Sequence, residues 1–146
     1  MSFFSQLDND RIVSAISAAE RRSSGEIRVH VTRRKVEDLE ARARHRFELL
    51  GMTKTAERNG VLFYIAPSVR RFQILGDSGI HERSGPDFWK EVAAEMEESF
   101  RRGEFTEGIV AGIAKVGEVL ARYFPRSASD KDELPNRIDE EPEPSG

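Results

Sequence analysis

The stretch N-G-V-L-F-Y-I-A-P-S-V-R-R-F-Q-I-L-G-D-S-G, Asn59 to Gly79, decides the fold. An apolar run, Val61 to Ala66, stands between an Asn-Gly opener and a proline-containing turn. A second β-rich run, Phe72 to Leu75, stops at Gly76-Asp77-Ser78-Gly79. Two such runs joined by a short turn form an antiparallel hairpin with a polar, glycine-flanked terminus. Val61–Ala66 is apolar on both faces and belongs at the centre of a sheet, whereas Phe72 and Ile74 alternate with Arg71 and Gln73 as in an edge strand.

Working outward, Glu26 to Thr32 places Ile27, Val29 and Val31 on one side and Arg28, His30 and Thr32 on the other. That period of two reads as a half-exposed edge strand. Before it, Asp8 is an N-cap signal for a helix with Ile12, Val13, Ile16 and Ala19 on its apolar face, Leu7 as its staple and Gly25 as its C′ residue. After it, Val36, Leu39, Ala43, Phe47 and Leu50 predict a helix over 36–50 that stops at Gly51. The strand–helix–strand unit from Ile27 to Ala66 has the length of a parallel crossover.

Downstream, Gly85-Pro86-Asp87 starts a third helix with Trp89, Val92, Ala93, Met96 and Phe100 as its stripe. Thr106 caps a fourth, with Ile109, Ile113, Val116 and Leu120 facing inward. The order α-β-α-β-β-α-α predicts an α/β fold, an α/β/α sandwich in which helices cover both faces of a small mixed sheet. The domain is expected over 1–126. Residues 127–146 hold seven acidic and two basic side chains, a charge of −5 within a chain total of −3, with Pro135, Pro142 and Pro144 and few apolar residues. This composition predicts a disordered acidic tail.

At 146 residues the chain suits one domain. It has no cysteine, which excludes disulfides, thiolate metal sites and cysteine nucleophiles. No apolar stretch approaches the roughly 20 residues that span a bilayer, and Met1 to Asp8 has no signal-peptide pattern, so a cytoplasmic protein without a transmembrane segment is expected. The domain alone carries +2 with no basic stripe, which argues against nucleic-acid binding. P-loop, dinucleotide and nucleophile-elbow motifs are absent, and no organic cofactor is expected.

Strand direction locates a candidate site. With the first two strands parallel and the third antiparallel, Glu26, Asn59 and Asp77 fall at one end of the sheet, and Glu82 follows closely. Carboxylate and amide oxygens beside a glycine-rich turn suit a hard cation such as Ca²⁺ or Mg²⁺, and Glu26, Asn59, Asp77 and Glu82 are the expected ligands. His81 is a candidate proton donor near neutral pH. The plainer readings stand beside these: Asp77 bonding its own turn, Asn59-Gly60 as a turn, Glu26 as a surface carboxylate and His81 as an exposed histidine. Arg70-Arg71 and Arg33-Arg34-Lys35 fall at the opposite, basic end and read as solvated loops.

Several of these residues carry a resemblance. Ser24-Gly25-Glu26-Ile27-Arg28-Val29, Asn59-Gly60-Val61-Leu62, Arg71 to Ile80 and Phe100-Arg101-Arg102-Gly103-Glu104-Phe105 together resemble the TPM domain family, over roughly Phe3 to Pro125. The resemblance implies an α/β/α sandwich, divalent-cation binding in some members and acid-phosphatase activity in the founding plant branch, so that an enzyme here would be a phosphatase-like hydrolase. Members also serve in assembly and repair of protein complexes, which implies the alternative of a non-catalytic adaptor with a protein partner. The chain departs from exported members in reading Ile80-His81-Glu82-Arg83-Ser84-Gly85 after the glycine turn.

Overall fold

Strand β2 (Gly60–Ala66) is buried along its whole length, and the other layers form around it. The structure is a computed structural model that describes residues 7–126 and 138–140. In chain order its elements are α1 (Asn9–Arg21), β1 (Glu26–Val31), α2 (Leu39–Leu49), β2, β3 (Arg71–Gly76), α3 (Ser78–Ser84), α4 (Pro86–Arg101), α5 (Phe105–Tyr123) and β4 (Ile138–Glu140). The sheet order is β3-β2-β1-β4, with β1 parallel to β2 and to β4, and β3 antiparallel to β2.

Alternation along β2 divides the core between two layers. Val61, Phe63 and Ile65 meet Ile12 and Ile16 of α1, Val92 and Met96 of α4, and Ile109, Ile113, Val116 and Leu120 of α5. Leu62, Tyr64 and Ala66 meet Leu39, Ala43 and Phe47 of α2 together with Met52. Helices therefore pack on both faces of a mixed sheet, as the apolar patterning requires. No helix among the described residues is long and apolar enough to cross a membrane.

Local chemistry sets the element ends, and in places it differs from the sequence reading. Asp8 caps α1 by accepting from the Arg11 N–H, as expected, but α1 ends at Arg21 with Arg22 as its cap, and Gly25 is not its C′ residue. Gly25 is needed for packing instead, because a β-carbon there would lie 2.6 Å from Leu120 Cδ2. Helix α2 starts at Leu39 rather than at residue 36, since the Asp38 carboxylate accepts from the Ala41 N–H and so fixes the first turn. Thr106 does not cap α5; its hydroxyl accepts from the Asp8 N–H and ties the starts of α1 and α5 together.

Strand β1 is interior, not an edge. It pairs with β2 on one side and, from Val29 to Val31, with β4 on the other. Arg28, His30 and Thr32 are buried, and the His30 ring stacks on Tyr64 with centroids 5.0 Å apart. Of the tail expected to be disordered over 127–146, only Ile138–Glu140 lies within the described residues, where it forms this fourth strand.

Phe63 is fully buried at the centre of the larger core layer, while Leu49 is 60% exposed at the end of α2. Phe63→Ala should cost about 3–5 kcal/mol, and Leu49→Ala should stay within about 0.5 kcal/mol of the parent. Urea denaturation of the three proteins checks both values.

Candidate functional site

Strand register assembles the polar end of the sheet. Glu26 is opposite Gly60 and Val61 is opposite Gly76, so the starts of β1 and β2 and the end of β3 lie together. The Asp77 N–H donates to the Gly60 carbonyl at 2.9 Å, and the Gly79 N–H donates to the Arg58 carbonyl at 2.8 Å. Gly79 is required by this close approach: a β-carbon there would overlap the Glu57 carbonyl oxygen and stand 2.7 Å from that of Arg58.

Asn59 sits under this closure, only 1% exposed. Its N–H donates to Thr55 Oγ1, and its Nδ2 donates to Ser24 Oγ, which in turn donates to Glu57 Oε1 at 3.3 Å. Asn59 Oδ1 is buried and accepts no hydrogen bond. Glu26 is buried as well, in the same register layer. Glu20, at the end of α1, is a further buried carboxylate nearby in the chain, and its Oε2 accepts from the Ile27 N–H.

Asp77 serves two structural purposes. It is the N-cap of α3, accepting from the Ser78 N–H at 2.8 Å. It also takes a bidentate pair from Arg58, Nε to Oδ2 at 2.7 Å and Nη2 to Oδ1 at 2.9 Å. The hydrogen bonding to Asp77, then the charge of that carboxylate, hold the Arg58 guanidinium above its ordinary pKa. Arg58 makes this contact from a left-handed backbone with φ 54°.

Of the expected ligands, Glu26, Asn59 and Asp77 share this end, and Glu82 is exposed on α3. His81 is also exposed, one turn into α3, and its N–H donates to the Asp77 carbonyl. No three His, Cys, Asp or Glu side chains come together in a metal-holding group among the described residues. The oxygens at this end are of mixed kind: the Asn59 amide, the Asp77 carboxylate held by Arg58, and the buried Glu26 carboxylate. Sequence reasoning missed Arg58, Ser24 and Glu57. Ser24 and Arg58 directly precede residues it had singled out, but only the fold aims them at Asn59 and Asp77.

Beside Asp77 opens a groove of about 610 Å³ between α2, β3 and the α3–α4 corner. Phe47, Leu75 and Trp89 supply its apolar lining, and Glu48, Arg58 and His81 its polar one. Trp89 Nε1 is buried without a hydrogen-bond partner. At the opposite end of the sheet Arg70 and Arg71 are exposed, and Ser68 Oγ donates to the Arg33 carbonyl, so the two basic loops meet there as the strand directions require.

The model of the TPM domain family matches residues 1–119. Among solved structures, the BA42 protein of the psychrophilic bacterium Bizionia argentinensis is 40% identical with a TM-score of 0.87, over 96% of this chain and 99% of that one. The N-terminal domain of a protein from P. gingivalis is similar in fold at 20% identity and a TM-score of 0.67, covering 83% of this chain and 82% of that one. An N-terminal domain from Corynebacterium glutamicum shares the fold at 14% identity and a TM-score of 0.57, over 81% and 76% of the two chains. No curated protein matches the chain.

Gly79 is the position at which the polar end is most easily broken. Gly79→Ala drives a methyl group into two backbone carbonyls that no rotamer change can move aside. It should cost at least about 2 kcal/mol, toward the upper range for overpacking. Chemical denaturation measures the loss, and amide shifts confined to 57–60 and 76–80 at low denaturant would locate it.

Proposed function

Since the chain belongs to the TPM domain family, we propose that the polar end of its sheet binds a divalent cation, Ca²⁺ or Mg²⁺, through oxygens of Glu26, Asn59 and Asp77, with Glu82 as an outer carboxylate. The observation that supports this is the buried Asn59 Oδ1 without a donor. Leaving such an oxygen unsatisfied costs about 1–3 kcal/mol, and a hard cation is a partner that would satisfy it. Arg58 occupies Asp77 in the structure. Cation and guanidinium therefore compete, which favours weak binding, roughly 10⁻⁴–10⁻³ M, as in loosely built calcium sites.

Phosphatase-type hydrolysis is the finer reading. When bound, the cation would supply Lewis-acid polarisation of a phosphoryl oxygen. His81, exposed on α3 beside the groove, is the side chain available to donate a proton to a leaving oxygen. A cytoplasmic setting belongs to the same proposal. The second reading, a non-catalytic domain that binds a protein partner, is favoured by the groove along β3.

Titration with Ca²⁺ and then Mg²⁺, followed by amide NMR, tests the first reading. Shifts are expected at 24–26, 58–60 and 76–79, and none there at about ten times the upper end of the stated range would sink it. Arg58→Gln removes the competing guanidinium and should tighten binding several-fold; unchanged or weaker binding would refute the displacement. An aryl-phosphate assay separates the enzyme from the adaptor, because hydrolysis that disappears in Asp77→Asn, which keeps a capping oxygen, identifies the site as catalytic.

A further inference from the structure

The edge of the sheet beside the groove is built to accept another strand. In an antiparallel pair, opposite residues alternate between exchanging hydrogen bonds and not exchanging them. The Asp77 N–H to Gly60 carbonyl bond makes 60/77 a bonded pair, so 62/75, 64/73 and 66/71 are bonded in turn. Phe72, Ile74 and Gly76 therefore direct their N–H and C=O groups away from β2. Strand β3 ends the sheet on that side, and these outward groups meet no partner among the described residues.

Edge strands are commonly blunted by proline, lysine or a bulge. The three residues whose backbones face out are Phe72, Ile74 and Gly76, and the ladder runs without interruption from Arg71 to Gly76. The groove follows this edge from Gln73 to Asp77, with Phe47 and Glu48 of α2 on one wall and Trp89 of α4 on the other. A cleft with a strand edge for its floor matches a peptide backbone, with wall pockets for alternate side chains.

The charges around it select among peptides. Glu40 is paired with Arg44 and Asp77 with Arg58, so among the acidic groups lining the groove Glu48 is the one without an ion pair. We propose that this groove binds an extended segment of a partner protein as an added strand antiparallel or parallel to β3, with apolar side chains against Phe47, Leu75 and Trp89 and a lysine or arginine at Glu48. This rests on the protein-interaction reading above and does not require a bound cation.

The test is selection of random hexapeptides displayed on phage against the full chain, followed by titration of a selected synthetic peptide into ¹⁵N-labelled protein. Selected sequences should alternate β-branched or aromatic residues and carry one basic residue, and binding should slow amide exchange at Phe72, Ile74 and Gly76. Ile74→Pro removes one outward N–H without touching the β2 ladder and should weaken binding about tenfold, the loss of one backbone hydrogen bond. Glu48→Lys should switch the selected charge from basic to acidic, and it decides alone where Ile74→Pro fails to fold. Failure to select any binder, or a folded Ile74→Pro with unchanged affinity, overturns the proposal. Peptides that bind another face overturn this site while leaving the protein-interaction reading in place.

Discussion

The approach of Gly79 to the carbonyls of Glu57 and Arg58 is the contact on which the polar end depends. It seats the first turn of α3 on the loop entering β2, and a hydrogen bond from Gly79 N–H to the Arg58 carbonyl holds it there. The same loop leaves Arg58 in the left-handed region, a conformation that costs a non-glycine residue about 1–2 kcal/mol. Its side chain is then within reach of both Asp77 oxygens. One steric closure thus produces a capped helix, a neutralised carboxylate and a buried Asn59 together.

Much of this was legible in the sequence because it follows from short-range chemistry. The two-sided apolar run Val61–Ala66 placed β2 at the centre, and the cap at Asp8 is a side-chain oxygen three residues before the N–H group it accepts from. Convergence of Glu26, Asn59 and Asp77 needed only strand direction. What escaped depends on residues far apart. Strand β1 resembled an edge because its neighbour is a three-residue strand more than 100 positions later, in a stretch whose composition suggests no strand. Gly25 resembled a helix stop because its true reason, Leu120, lies on the last long helix.

Helix α3 was hidden by its own composition. Ser78-Gly79-Ile80-His81 is a poor helix opening by propensity, and a turn was the simpler reading. Tertiary contacts reverse the preference: Asp77 caps the helix, Gly79 is fixed by packing, and Ile80 is fully buried in the main core. The carboxylate that looked most like a ligand turned out to hold a helix end and a guanidinium. That double duty is also why the candidate cation site cannot be read as a finished shell of carboxylates.

The polar end and the groove are not independent places. Arg58 and Asp77 line the groove as well as closing the sheet end, so their pairing sets the charge seen by anything lying along β3. A ligand that draws Asp77 away from Arg58 frees a guanidinium at the groove's rim and makes it more positive. By linkage, whatever the groove then binds less well must in turn weaken that ligand by the same factor. Coupling of this kind needs no conformational change beyond one side chain. The exchange is small because Arg58 is half exposed, so water can solvate the guanidinium once it leaves Asp77.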